Sequence, residues 1–338
     1  MRRAAGPVRR LPRVFPPGPV SRLAVGAGFP PQALSSHRMR ILITGSNGLL
    51  GQKLVAALRN DPTVALTATS RGPDRSPAPL HDRYRSLDIT DAAAVDAVFD
   101  AVRPEAVIHT AAMTNVDACE LDPAACRLQN VTATAHLVRA ARRHGSHFIH
   151  LSTDFIFDGA AGPYREEDAP APLSVYGHSK LDSERVVQEA GLAKWAIART
   201  IIVYGVAPGL SRSNVVLWAK GALVKGEPIR VVDDQWRMPT LAEDLAEGCI
   251  RIAQRGATGI YHLSGREGMI ILELGHRVGR FLGMPVDGVL PVKSNTLGQP
   301  AQRPPRTGFV LDKARLDLGY APRGFEAGLA VVRDQLVG

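Results

Sequence analysis

The stretch "RILITGSNGLLGQKL", residues 40–54, restricts the possible folds of this chain more than any other. A short β-branched run, Arg40–Thr44, ends in three glycines spaced G-x-x-G-x-x-G (Gly45, Gly48, Gly51), and an amphipathic stretch continues to Arg59. Glycine at the first position permits a tight turn, at the second lets a pyrophosphate approach the backbone, and at the third lets helix and strand pack closely. A helix that starts here also offers free N–H groups and a partial positive charge to phosphates. A glycine-rich turn with no ligand is the bland alternative, and the strand before and helix after weigh against it. Gly45, Ser46, Asn47, Gly48, Leu49, Leu50 and Gly51 are therefore expected to cradle a dinucleotide.

The same alternation runs on. "VALTATS" (Val64–Ser70), "EAVIHTAA" (Glu105–Ala112), "HFIHLST" (His147–Thr153) and "WAIARTIIVYG" (Trp195–Gly205) read as buried strands. Between them, Asp91–Val102, Asp122–His144 and the run after Tyr176 read as helices. Continuous apolar strands alternating with helices predict an α/β fold, a Rossmann-type doubly wound parallel sheet covered on both faces. Beyond Gly205 the order loosens, with helices expected near Val215–Lys225, Ala242–Arg255 and Ile270–Leu282. The expected division is a basic extension over 1–38, a dinucleotide-binding domain over 39–205, and a smaller, mainly substrate-binding lobe over 206–338.

A net charge of +9 suggests nucleic acid until it is located. Residues 1–38 hold seven Arg and no Asp, Glu or Lys, leaving 34 basic against 32 acidic residues in the body. That segment also carries seven Pro and four Gly, too little apolar surface to offset the entropy of ordering it. A targeting arm would be amphipathic, which the prolines spoil, so a disordered extension or a start at Met39 is the favoured reading. Nucleic acid is not an expected partner. No run of about 18 apolar residues exists, so no membrane span is expected. Three scattered cysteines (Cys119, Cys126, Cys249) fit a reduced cytoplasmic protein without structural zinc or disulfides.

The end of the second strand bears on cofactor choice. An acid there would bind a ribose 2′-hydroxyl, whereas an arginine accommodates a 2′-phosphate. Here Ser70 is followed by Arg71, and the next acid is Asp74. NADPH is thus the expected cofactor, with NADH the alternative; a solvated Arg71 opening the polar loop Gly72–Arg85 is the plain reading. In "LDITD", Asp88 and Ile89 are weaker candidates for the adenine side, because a strand-end turn explains them almost as well.

In "PLSVYGHSKLDSE", Tyr176 and Lys180 stand four apart, one above the other on a helix face. Thr153, which ends a strand 23 residues earlier, would point into the cleft at the carboxyl end of the sheet. Together they supply what ketone reduction needs. Tyr176 gives a proton to the developing alkoxide, and cationic Lys180 lowers the phenol from about 10 and holds the nicotinamide ribose. Thr153 polarises the carbonyl oxygen. Any one of these is ordinary; the ordered set behind the glycine loop is specific.

With these motifs the chain resembles the extended short-chain dehydrogenase/reductase superfamily, and within it the dTDP-4-dehydrorhamnose reductase family. The resemblance rests on "ILITGSNGLLGQKL", "HTAAMTNVDACE", "LSTDFIFDG", "PLSVYGHSKLDSE", "RTIIVYG", "VVDDQWRMPT" and "RPPRTGFVLD". It implies NAD(P)H-dependent reduction of the 4-keto group of a nucleotide-activated 6-deoxysugar, with Thr153, Tyr176 and Lys180 as the catalytic trio. It further implies that Ala111 and Ala112 contact the cofactor, and that Thr114, Val116, Asp117, Gln235 and Arg303 lie near the sugar nucleotide. Three departures bear on the sugar: Phe155 replaces the family's usual Tyr, Ile202 its usual aromatic, and Arg237–Met238 a Gly and a small residue. Phe155 is kept as a candidate substrate contact. "GPYREEDAPAPLSVYGHSKLDSE" is also similar to the regulatory beta subunit of methionine adenosyltransferase, which binds NADP and serves another enzyme. Nucleotide-sugar dehydratases need an acid pair after the catalytic Thr, and here Asp154 is followed by Phe155. Epimerases are disfavoured by the run of motifs, although the Tyr and Lys alone do not separate them.

The histidines (His109, His136, His144, His147, His150) show no ligand spacing and are expected in core or surface roles, with no metal site. Glu166, Glu167 and Asp168 read as a solvated loop, and Arg303 and Arg306 as a clamp for a substrate diphosphate or, equally, as a solvated loop. Magnesium and the oligomeric state stay open, a homodimer being one option.

Overall fold

The computed structural model describes residues 37–210 and 213–337. The basic extension expected over 1–38 falls, through residue 36, outside the described residues. The central sheet holds β1 (Met39–Thr44), β2 (Val64–Ser70), β3 (Tyr84–Ser86), β4 (Ala106–His109), β5 (His147–Thr153), β6 (Trp195–Thr200) and β7 (Gly259–His262). Every pairing is parallel, in the order β3-β2-β1-β4-β5-β6-β7. The order reverses between β1 and β4, the crevice where a doubly wound sheet takes its ligands. This is the Rossmann-type α/β fold expected.

The strands alternate between two apolar cores, as a period of two requires. Ile41, Ile43, Ile108 and Ile149 face a core with Leu54 and Leu58 of α1 (Leu49–Leu58) and Leu245, Cys249 and Ile252 of α8 (Ala242–Arg255). Leu42, Val107 and Phe148 face the other, with Val95 and Phe99 of α2 (Ala92–Val102) and Leu137 and Val138 of α5 (Ala133–His144). Each fully buried side chain of this size contributes about 1.5–3 kcal/mol relative to exposure. Residues beyond 205 do two things. Their helix α8 (Ala242–Arg255) and strand β7 complete the first core, and Val216, Leu223, Val231, Leu274, Val278 and Leu329 build a third cluster. That cluster joins α7 (Val215–Lys225), α9 (Ile271–Phe281) and α10 (Phe325–Val337).

Several boundaries differ from the sequence reading. The expected Asp122–His144 helix is α4 (Pro123–Arg127), a π-helical turn over Leu128–Thr132, and α5 (Ala133–His144). The strand expected to reach Ala112 ends at His109, and α3 (Val116–Leu121) follows, capped by Asn115. The strand expected to reach Gly205 breaks after Thr200, where Thr240 Oγ1 donates to the Ile201 carbonyl at 2.6 Å and Ile202 takes φ 30°. Val203–Tyr204 then pairs with Thr240–Leu241, away from the main sheet. Among the described residues no helix is long and apolar enough to cross a membrane.

Candidate active site

The glycine loop joins β1 to α1, and each glycine has its own reason. Gly45 has φ 77°, and a Cβ there would lie 2.6 Å from the Ala111 nitrogen, so the loops after β1 and β4 touch at the crevice. At Gly51 a Cβ would lie 2.2 Å from the Gly45 carbonyl oxygen, which fixes how closely α1 approaches the loop. A Cβ on Gly48 would meet only the Gly45 oxygen within 4 Å, at 3.3 Å. Gly48 caps α1 without a side-chain hydrogen bond, and the buried Ser46 hydroxyl has no partner. Free helix N–H groups, an open glycine surface and an unmatched hydroxyl fit a pyrophosphate.

Asn47 turns elsewhere. Its Nδ2 donates to the Pro73 carbonyl at 2.9 Å, and its Oδ1 accepts from Arg75 N at 2.9 Å, pinning the loop after β2. Arg71 is exposed at the end of β2, while Asp74 accepts from Ser76 N and Leu80 N and is thereby held below the usual carboxylate range. Burial works against that lowering and is outweighed by the hydrogen bonds. Asp88 bonds the amide and hydroxyl of Thr90, and Ile89 is buried in the second core. Ala111 and Ala112 are half-buried at the end of β4.

Helix α6 (Val175–Glu189) carries Tyr176 and Lys180, both buried. Its start is doubly held: Ser174 Oγ accepts from Gly177 N at 3.2 Å, and Glu120 Oε2 accepts from Val175 N at 3.0 Å. A glycine inside a helix costs about 1 kcal/mol relative to Ala. Here a Cβ on Gly177 would lie 2.3 Å from the Phe155 carbonyl oxygen, so this glycine lets α6 press against the end of β5. That approach brings Tyr176 to Phe155, ring centroids 5.8 Å apart and edge-on, with Val116 in the same apolar cluster.

The electrostatics depart from the sequence reading. Burial raises the Tyr176 phenol, Asp154 and the two thiols Cys119 and Cys126 add to the rise, and the Thr153 side chain opposes it. Lys180, expected to lower that phenol, turns instead to His150, Nζ to Nε2 at 3.2 Å, and burial pushes its own pKa down to about 8. Desolvation is the larger effect at this site.

Thr153 Oγ1 donates to Asp154 Oδ1 at 3.1 Å and accepts from Phe155 N at 3.3 Å. Asp154 is buried; Thr307 donates to its other oxygen, and Arg237 Nε stands 3.8 Å away. Burial raises the Asp154 pKa, with Arg237 pulling the other way. Arg237 is itself buried and donates to the carbonyls of Trp236 and Pro304 and to Gln235 Oε1. Its guanidinium lies 5.9 Å from the Phe155 ring centre. Gln235 also donates to Ser294 Oγ at 2.9 Å. Asp117 meets Arg303 at 2.7 Å. A line of contacts thus runs from Gln235 through Arg237 and Phe155 to Tyr176. Thr114 is exposed beside α3.

Three residues escaped the sequence reading. Asn130, in the π-helical turn, bonds both backbone groups of Met113 and donates to Ser179 Oγ at 2.9 Å, tying α6 to the segment after β4. A buried Asn amid an apolar helical run, a poor helix interior residue, was the available signal. Thr307 and His150 gave none, since their partners lie far off in sequence. Among the described residues no group of three or more His, Cys, Asp or Glu could hold a metal.

The chain is similar to several known proteins. A dTDP-4-dehydrorhamnose reductase of Streptomyces griseus is 35% identical over 285 residues, covering 82% of this chain and 87% of that protein. Methionine adenosyltransferase 2 subunit beta of Xenopus laevis is 31% identical over 264 residues, 77% of each chain. The crystal structure of dTDP-4-dehydrorhamnose reductase from Bacillus anthracis, in complex with NADP, superposes with a TM-score of 0.76 at 28% identity, over 88% of this chain and 100% of that one. Residues 39–337 match the family described as the RmlD substrate binding domain, and the chain belongs to that family.

Proposed function

We propose that this chain is an NAD(P)H-dependent oxidoreductase that reduces the 4-keto group of a nucleotide-activated 6-deoxysugar, dTDP-4-dehydrorhamnose being the leading substrate. The observation that carries the proposal is the meeting of the Thr153 side chain, at the carboxyl end of β5, with the Tyr176 phenol of α6, Lys180 lying one turn further along that helix. A nicotinamide dinucleotide, when bound, supplies the reducing equivalent. Gly45 to Gly51 hold its phosphates, Ala111 and Ala112 border it, and Asp88 and Ile89 lie toward its adenine. Arg71 favours a 2′-phosphate, since Asp74 is already committed to its own loop.

Tyr176 gives its proton to the carbonyl oxygen, and a phenol kept neutral by burial arrives with that proton in place. Thr153 donates a second hydrogen bond, for which its proton must turn from Asp154 to the substrate. Lys180, on the same helix face, would hold the nicotinamide ribose. Thr114, Val116, Asp117, Phe155, Gln235 and Arg303 receive the sugar nucleotide. In this reading residues 39–205 serve the cofactor and 206–338 mainly the substrate.

The test is NADPH absorbance with and without enzymatically generated dTDP-4-keto-6-deoxysugar. Consumption dependent on the sugar is expected, abolished in Tyr176→Phe with NADPH affinity kept. A Tyr176→Phe protein of near-full rate would refute the proton-donor assignment. The 31% identity to a methionine adenosyltransferase beta subunit favours one other reading, a regulatory NADP-binding protein. That reading requires NADPH binding without consumption, and capture of a synthetase partner.

A further inference from the structure

Lys180 is 3% exposed, and among the described residues no carboxylate lies within 4.0 Å of its Nζ. Glu184, one turn along α6, is taken by Arg199 through two hydrogen bonds of 3.0 and 2.8 Å. The polar atom that Nζ meets is Nε2 of His150, a fully buried residue of β5, at 3.2 Å.

The contact with Lys180 bears on which nitrogen of His150 carries hydrogen. Ser183 Oγ lies 2.9 Å from the same Nε2 and 2.7 Å from the Lys180 carbonyl oxygen, so its one proton can serve either acceptor. An ammonium only donates, so Nε2 must offer its lone pair and the ring proton sits on Nδ1. Among the described residues that buried Nδ1 has no partner. Leaving a buried N–H unmatched is unfavourable, and the arrangement persists because the lone pair faces the lysine. Neighbouring His109 shows the contrast: Thr44 Oγ1 stands 2.7 Å from Nδ1 and Thr134 Oγ1 3.2 Å from Nε2, so both nitrogens are satisfied. The two imidazole rings lie 5.3 Å apart. A polar row therefore passes under the crevice from Thr44, next to Gly45, to Lys180.

We infer that His150 is a positioning residue, whose Nε2 lone pair holds the Lys180 ammonium in place and keeps it charged at the base of the cleft. The kinetic part of this inference rests on the reductase reading; the titration part does not. The groups facing Lys180 are Tyr176 and Glu184 on α6, Cys126 on α4, His150 on β5 and His109 on β4. His109 and His150 are kept neutral by burial, so neither competes as a cation. Glu184 and Cys126 favour the ammonium, and burial opposes it more strongly.

The test is NMR titration of the full chain labelled with 13C at the lysine ε carbon, the Lys180 signal assigned by its loss in Lys180→Met. In wild type the resonance should move near pH 8. In His150→Leu it should move about one unit or more lower, and His150→Gln, which restores an acceptor, should recover most of that shift. If the Leu protein does not fold, His150→Asn, too short to span the contact, carries the same expectation. An unchanged or higher value in the variant that folds overturns the inference, even if melting temperature falls, because a purely structural histidine would alter stability and not this titration. Should no sugar nucleotide be turned over, the titration still decides it. Where turnover is seen, the alkaline limb of kcat in His150→Leu should shift downward in step.

Discussion

The guanidinium of Arg303 meets the carboxylate of Asp117 at 2.7 Å across 186 residues of chain. Asp117 also accepts from Ala301 N at 3.3 Å, so the loop around 301–303 is fastened to the first turn of α3. A planar guanidinium so held is oriented for a second, bidentate anion such as a diphosphate. Arg303→Ala is expected to raise KM for the sugar nucleotide about 10- to 100-fold, the worth of a hydrogen bond to a charged group, with little change in NADPH affinity. Steady-state kinetics and NADPH fluorescence titration measure the two separately. An equal loss on both would place Arg303 in fold maintenance and outside substrate recognition.

Two of the loop glycines, Gly48 and Gly51, should part company on substitution. In Gly51→Ala the new carbon would sit 2.2 Å from a backbone oxygen that cannot move alone, so the stability measured by denaturant unfolding should fall by about 1–3 kcal/mol, the range of damaging core changes. Gly48→Ala meets a single atom at 3.3 Å and has an extended backbone at φ −78°, so it should fold nearly as wild type. Its methyl instead occupies the surface offered to phosphate, and NADPH affinity should drop about tenfold or more. Unimpaired NADPH binding by a folded Gly48→Ala protein would remove the loop from the cofactor site.

What was legible in the sequence follows from what a pattern can encode. The glycine spacing, the buried strands and helices α7 and α8 were readable because each is a local run, and the last two stop at Gly226 and Gly256 in left-handed conformation. Strand β7 and helix α10 were not anticipated, the first being four residues that begin with a glycine. The break at Ile202 depends on a hydroxyl 38 positions away, on Thr240. The candidate site divides in the same way. Thr153, Tyr176 and Lys180 were visible as residue types at telling places, but the direction of Lys180 was not, because His150 is a partner that only packing supplies. Lys180 was expected to lower the Tyr176 phenol; burial reverses that expectation, and burial is a property of the fold rather than of spacing.

Lys180 links stability to pH in a direction its replacement should expose. Its pKa is lowered from 10.5 to about 8 on folding, chiefly by burial. Between those values the unfolded chain holds a proton that the folded protein has released, so this group makes stability rise with pH across that window. Below about pH 8 both states are charged and the cost of burying the ammonium is felt in full. Lys180→Met keeps much of the side-chain volume and removes the charge, so at pH 7 it should be more stable than wild type, by up to about 3 kcal/mol. The gain should shrink as pH climbs toward 10.5, and turnover should be lost at every pH. Denaturant unfolding of both proteins from pH 7 to 10 measures it. A Met variant less stable than wild type at pH 7 would mean that the hydrogen bond to His150 outweighs the burial of the charge, and that the lysine is retained for the fold as well as for chemistry.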